Sequence, residues 1–383
     1  MLNNKGEREL AYIAKVLNTE SLCGYDKMHF ITVLGWKCVA PVNIHKGDLV
    51  VYFEVDSLLP QNDNRFSFLA SKKFRIKPIK ICGVISQGLV LPLSDFPELK
   101  DCKEGDFVTN KLHVEKYDPE PVQENVRSKH KVSAFQRAMD CHKKFFKNPI
   151  IKYLMKYKPV QWVLSKLFVR KKDKAKCKWP DWLPKTGSER IQNIPGLLGS
   201  DLSFIITEKV DGASTSFILD EKNNYFVGSH NVIKNPEESS DSSNIWAESG
   251  AKYNMEELLK SIKVVHGLKT VAIQGETYGD KVQKRNYSLN NNKRDFVVFH
   301  IWFNGKRLPI KEMIKICEDH KLPCVHVYDY NYKIPKSVEE IIDYVDSCKS
   351  AIDGNEIEGF VFYSQDGQQN FKCVSPNFLL KYH

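Results

Sequence analysis

The run Glu208-Lys209-Val210-Asp211-Gly212 follows closely on the apolar stretch Leu202-Ser203-Phe204-Ile205-Ile206. A lysine delivered this way by a strand can attack a nucleotide α-phosphate and carry AMP or GMP as a phosphoramidate. The tetrapeptide alone is a weak signal, because lysine, aspartate and glycine often meet in surface turns. The chemistry also sets a demand. A lysine amine has a reference pKa of about 10.4, so at neutral pH it must lose a proton, at a cost of about 4 kcal/mol. Burial and neighbouring cations are the expected means of lowering it. Asp211 and Gly212 shape the turn that follows, and glycine lets the backbone approach a nucleotide closely.

Downstream, further segments suit the same chemistry and come in a workable order. They are Gly228-Ser229-His230-Asn231, Ile273-Gln274-Gly275-Glu276-Thr277-Tyr278-Gly279, the aromatic run Asp295-Phe296-Val297-Val298-Phe299-His300-Ile301, Glu358-Gly359-Phe360-Val361 and Phe371-Lys372-Cys373-Val374. Each has an ordinary structural explanation. Glu276 could cap a turn, Phe299 could be core, Glu358-Gly359 could enter a hairpin, and Lys372 could sit on an edge strand. Their joint order and spacing make chance a poor explanation.

These motifs resemble those of the covalent nucleotidyltransferases, the polynucleotide ligases and capping guanylyltransferases. More closely, the chain is similar to ATP-dependent RNA ligases with an N-terminal OB-like module. The resemblance implies that Lys209 takes AMP from ATP. It implies nucleotide contacts from Glu208, Val210, Asp211, Gly212 and Asn231. Glu276 would bind the ribose hydroxyls or orient metal-bound water, Phe299 would stack on the nucleobase, and Glu358 would hold a hydrated Mg2+ or Mn2+. Lys372 would contact the α-phosphate. Upstream, Ser188-Glu189-Arg190-Ile191-Gln192-Asn193 resembles the segment that opens the catalytic domain, with Arg190 near the active site or a 5′-phosphate. The chain departs from the pattern in two places. His230 stands where many relatives carry arginine, and Asn370 and Val374 flank Lys372 where a second lysine is common.

Three features favour RNA ligase within the superfamily. Ser214 is small and polar where DNA ligases usually place arginine. About a dozen residues follow Lys372, too few for a downstream OB domain. A β-rich segment lies at the N-terminus instead. The implied partner is RNA with 3′-OH and 5′-phosphate ends, nicked duplex among the candidates. An RNA-binding protein with a decayed ligase domain and a capping-type guanylyltransferase are the alternatives.

The elements that must position these residues divide into three parts. Residues 1–114 read as an OB-like β-barrel suited to RNA, with strands expected at 30–34, 49–55, 73–77 and 88–93. Alternating lysines and aromatics there could line a nucleic-acid groove, and they equally fit the inside/outside pattern of any small barrel. Residues 115–187 read as a helical linker or insert, with helical periodicity at 131–146 and 149–168 and a basic run at 170–174. Residues 188–383 read as the adenylyltransferase domain, α+β on antiparallel sheet. Its expected helices cover 255–259 and 310–320, and its expected strands 270–273, 296–299 and 359–363.

The chain of 383 residues has 57 Lys and Arg against 47 Asp and Glu, a formal net charge of +10 that suits a polyanionic partner. Ten cysteines are scattered without zinc-ligand spacing, as expected for buried thiols in a reducing compartment. Neither a signal core nor a membrane-spanning apolar stretch is apparent, so a soluble cytoplasmic protein is expected.

Overall fold

The computed structural model describes residues 1–3, 8–22, 24–117, 178–230, 232–234, 244–289 and 293–382. The helices expected at 131–146 and 149–168 and the basic run at 170–174 lie outside the described residues. Met1–Pro119 and Trp179–His383 form one compact unit.

The N-terminal sheet is antiparallel. It contains β1 (Ala11–Ser21), β2 (Met28–Val33), β3 (Trp36–Pro41), β4 (Leu49–Phe53) and β5 (Leu89–Pro92), in the order β3-β2-β1-β4-β5. β1 serves two partners: Ala11–Lys15 pair with β4, and the stretch from Val16 to Ser21 pairs with β2 across a register shift near Asn18. A bulge of this kind bends the strand and coils the sheet into the OB-like half-barrel. Both faces of the first half of β1 are buried, with the period of two that a strand dictates. Ala11 and Ile13 enter a core with Phe53, Phe66 and Phe96, while Tyr12, Ala14 and Val16 enter another with Trp36 and Tyr52.

The strand expected at 73–77 does not form. Lys73 and Phe74 have φ of 52° and 57°, which reverses the chain after the short helix Asn64–Lys72. The charged/apolar alternation there comes from a turn. Phe74 packs on the core, while the Arg75 guanidinium reaches Asp56 at 2.6 Å and lies 3.7 Å from the Tyr117 ring centre.

The C-terminal part is α+β, with two sheets, as expected. The first holds β6 (Glu189–Arg190), β7 (Ser203–Lys209), β14 (Val327–Lys333), β15 (Gly359–Ser364) and β16 (Asn370–Val374), ordered β6-β16-β15-β7-β14. All its pairings are antiparallel except β6 with β16. The second holds β8 (Ala213–Leu219), β9 (Tyr225–Gly228), β10 (Ile233–Lys234), β11 (Val271–Gly279), β12 (Arg294–Phe303) and β13 (Lys306–Arg307). Its order is β10-β9-β8-β11-β12-β13. The chain passes from the first sheet to the second between β7 and β8, so Val210-Asp211-Gly212 lies at the seam.

Helices close the outer faces. α1 is Ile245–Lys252, α2 Met255–Val265, α3 Ile310–Asp319, α4 Val338–Ser347 and α5 Pro376–Tyr382. α2 buries Met255, Leu259 and Ile262 with Phe217 and Val271 of the second sheet. α4 buries Val338, Ile341 and Val345 with Phe360 and Phe362 of the first. Both stripes have the three-to-four-residue spacing of an amphipathic helix. Asn244 and Ser337 cap α1 and α4 by accepting main-chain N–H bonds. Cys38, Cys102, Cys317 and Cys373 are buried and free. Among the described residues, no helix is long and apolar enough to cross a membrane.

A polar hub joins the N-terminal module to the catalytic part. The Asn193 amide uses all four of its hydrogen-bonding positions. Its Oδ1 accepts from Tyr12 Oη at 3.0 Å and Trp36 Nε1 at 2.7 Å, and its Nδ2 donates to Glu54 at 2.9 Å and Glu189 at 2.7 Å. Burial pushes the Glu54 carboxyl up, but Arg8 and Arg190 pull it further down, to about 2.

Candidate active site

Strand register gathers the expected catalytic side chains. Lys209 ends β7 opposite Gly359 of β15, which brings Glu358 beside it, with Nζ 2.6 Å from Oε1. Lys372 on β16 faces Val361, and Arg190 on β6 is the parallel neighbour of Lys372. On the other sheet Ser214 pairs with Glu276. Two glycines permit these approaches. A Cβ on Gly359 would lie 2.1 Å from Cys373 O, and one on Gly212 would lie 2.3 Å from Thr277 O. A single cavity results, lined from the first sheet by Lys209, Val361, Tyr363 and Lys372 and from the second by Glu276 and Phe299.

The charges differ from the expectation for Lys209. Burial acts to lower its pKa, but Glu358, Glu276 and Asp211 together outweigh that, and the amine titrates above its ordinary value. The expected neighbours are cations, but the charges that act most on it are carboxylates. The cation-crowded amine is Lys372, lowered well below its usual range by burial and by Arg8, Lys209 and Arg190. Burial holds the Glu276 carboxyl up at about 8, against the pull of Lys209. Glu358 Oε2 is buried without a hydrogen-bond partner among the described residues.

Phe299 reaches the cavity through a β-bulge. Gln274 pairs with His300 and Gly275 with Val298, so Phe299 is the extra residue on β12. Bulges re-aim side chains in this way. Val298 also bonds sideways, donating to Pro323 O and accepting from Val325 N, both at 2.9 Å.

The remaining expected residues divide. Val210 lines the cavity. The Asp211 main-chain N–H donates to Tyr287 Oη at 2.8 Å. Glu208 also borders the cavity, while its carboxylate accepts from Ser350 Oγ at 2.5 Å and Ala351 N at 3.0 Å. Arg190 is buried under the N-terminal module, its guanidinium 5.5 Å from the Trp36 ring centre, with Nε and one terminal nitrogen lacking a hydrogen-bond partner among the described residues. Asn231 lies outside the described residues. His230 lines the cavity and contacts Thr186 Oγ1 at 2.9 Å, which in turn meets Ser214 Oγ at 2.7 Å. Thr186 and Ser188 were not foreseen as site residues. Trp179, Trp182 and Leu183 hold their segment on the second sheet through Ile218, Ala272 and Trp302. That tryptophan-rich run was the available signal.

Residues 202–383 match the RNA ligase family model, and residues 10–93 match an OB-fold domain model. The chain carries an RNA ligase domain. It is preceded by an OB-fold domain, in agreement with the coiled N-terminal sheet. Among solved structures, the RNA ligase of Naegleria gruberi with pyrophosphate superposes with a TM-score of 0.76 at 23% identity, covering 98% of this chain and 99% of that one. A mutant of that ligase with AMP and Mn gives a TM-score of 0.76 at 22% identity, again covering 98% of this chain and 99% of that one. A further mutant with ATP and Mn gives 0.74 at 22% identity, with the same coverage. At such identity the likeness establishes the fold of the ligase chain. Comparison with curated proteins gives no match.

Proposed function

We propose that the ligase domain uses ATP, and that Lys209 is the residue it adenylylates. The observation that carries this reading is the convergence of Lys209, Glu276 and Lys372 on one cavity at the seam of two sheets, with Glu358 paired to Lys209 beside it. The Lys209 amine attacks the α-phosphorus of ATP, an N–P bond forms, and pyrophosphate leaves. AMP then passes to an RNA 5′-phosphate, and an RNA 3′-hydroxyl displaces AMP to seal the strand. Each displacement at phosphorus depends on positioning and charge more than on acid–base groups. Lys372 supplies positive charge at the phosphate end once the phosphate's own charge favours its ammonium form. Phe299 offers a face to the nucleobase, and Val210 and Val361 offer apolar walls.

The carboxylates suit a hydrated Mg2+ or Mn2+. Glu358 Oε2 is buried with no hydrogen-bond partner among the described residues, and Glu276 adds a second carboxyl nearby. One or two carboxylates with water completing the shell is the usual way to hold Mg2+. A cation there would neutralise charge on the phosphates. Engaging Glu358 elsewhere would also remove the strongest carboxylate restraint on the Lys209 proton.

We assign residues 1–114 to RNA contact, 115–187 to a connector whose last residues wall the catalytic sheet, and 188–383 to the chemistry. The substrate reading is RNA with 3′-OH and 5′-phosphate ends, in a repair setting and in the cytoplasm. Incubation with labelled ATP and Mg2+, then denaturing electrophoresis, tests the assignment. The wild-type protein should carry label and Lys209→Ala should carry none. A labelled Lys209→Ala protein would defeat it, and preferential labelling from GTP would favour a guanylyltransferase.

A further inference from the structure

At the nucleobase end of the cavity, where His300 is part of the lining, lies a polar cluster to which the motif reading gives no role. Its members are Gln274, His300, Trp302 and Arg307. Their hydrogen bonds allow only one arrangement of protons. Trp302 Nε1 donates to Gln274 Oε1 at 2.7 Å, and Gln274 Nε2 donates to the Pro184 carbonyl at 3.1 Å. An indole N–H can only donate and a carbonyl can only accept, so the amide orientation is fixed. His300 Nδ1, 3.4 Å from Gln274 Oε1, must therefore be the protonated nitrogen. His300 Nε2, 3.3 Å from an Arg307 terminal nitrogen, must be bare, because a guanidinium has no acceptor.

Arg307 is itself buried. Its other partners are neutral: Gly367 O at 2.5 Å and Asn370 Oδ1 at 3.0 Å, with the rings of Trp302 and Tyr363 nearby. His300 packs edge-to-face on both Phe299 and Tyr363, at centroid distances of 4.9 and 5.6 Å.

We propose that Arg307 is a positioning residue for nucleotide binding: it holds His300 as the neutral Nδ1–H imidazole behind Phe299, so the nucleobase end of the cavity stays uncharged and fixed in shape. This rests on the ligase reading above. Burial first, and Arg307 second, keep His300 well below its ordinary pKa. The other ionisable groups around it are the Tyr363 phenol on β15, and Lys209, Glu276, Lys372 and His230 across the cavity. Asp366, in the turn after β15, faces Arg307.

The test is the KM for ATP in lysyl-AMP formation from about pH 8 down to about pH 5.5, each variant referred to wild type. Arg307→Gln should acquire an acid limb, with KM rising up to about tenfold as His300 becomes able to protonate, and kcat changing less. The double variant Arg307→Gln/His300→Phe should lose that limb. An Arg307→Gln profile parallel to wild type overturns the proposal. Imidazole 15N NMR of the wild-type protein, with His300 assigned by its absence in His300→Phe, covers the case of a misfolded Arg307 variant. A fixed Nδ1–H tautomer is expected, and titration near 6.5 overturns the proposal. Failure of the wild-type protein to form lysyl-AMP would instead strike the ligase reading.

Discussion

Replacing Gly212 by alanine tests whether the crossing between the two sheets sets the catalytic spacing. An added Cβ would sit 2.3 Å from Thr277 O, 2.9 Å from Glu276 Cγ and 3.0 Å from Thr277 C, where ordinary contact begins at 3.4 Å. The deficit is about 1 Å against main chain, and Thr277 is locked in register with Ala213. No flexible side-chain end can yield, so either the turn after Lys209 or the strand carrying Glu276 must move. Overpacking of this kind costs about 1–3 kcal/mol. A shift of about 1 Å at a reacting group costs about 100-fold in rate. The assay is single-turnover formation of lysyl-AMP, with a thermal melt to separate loading from folding. Gly212→Ala should melt as a folded protein and load about 100-fold more slowly. Gly196→Ala, where a Cβ meets no atom within 4 Å, is the control and should load normally. A folded Gly212→Ala protein loading within about threefold of wild type would show that this crossing does not govern the approach of Lys209 to Glu276.

Two further outcomes follow from buried polar groups. Glu276 holds its proton up to about pH 8, so its ionised form grows only as pH passes that value. The Mg2+ requirement for lysyl-AMP formation should therefore ease as pH rises through about 8, and Glu276→Gln should abolish that inflection; an unchanged inflection removes Glu276 from the metal reading. Asn193→Ala would strand Trp36 Nε1 and the Tyr12 hydroxyl in a buried interface and should cost about 2–5 kcal/mol in urea unfolding. A loss below about 1 kcal/mol would show that the hub contributes little to docking of the N-terminal module.

The site was legible where local sequence and register coincide. Lys209, Glu276, Glu358 and Lys372 lie in or directly beside strands whose apolar runs mark them, and pairing does the rest. The helices expected at 255–259 and 310–320 and most expected strands formed for the same reason. Contacts made by chain segments distant in sequence were not legible. Thr186 reaches the cavity because Trp179, Trp182 and Leu183 anchor its segment on the second sheet, and no spacing rule predicts that partner. Phe299 was chosen as one aromatic among several, but the bulge that aims it depends on Val298 bonding to the strand-like segment at 323–325. The stretch at 73–77 misled for the converse reason, since two left-handed residues imitate alternation without extending the chain. Glu208 shares the motif with Lys209, yet strand alternation sends its carboxylate to Ser350.

The two site lysines carry opposite shifts, and that contrast bears on how the reaction could be ordered. In the ligand-free geometry Glu358, Glu276 and Asp211 favour the proton on Lys209, while burial beside Arg8, Lys209 and Arg190 disfavours one on Lys372. A triphosphate would reverse the bias at Lys372, and a cation beside Glu358 would reverse the bias at Lys209. The triphosphate's negative charge near Lys372 would favour the ammonium form there, because an opposite charge within a few ångströms stabilises the charged state. Glu358, whose Oε2 has no hydrogen-bond partner among the described residues, would hold a hydrated cation there; its contact 2.6 Å from Lys209 Nζ would then weaken and the amine would lose its main carboxylate restraint. On the proposed reading, Lys209 would become a nucleophile only when its electrophile and the cation are both bound, and an uncovered neutral lysine, open to any passing electrophile, would be avoided.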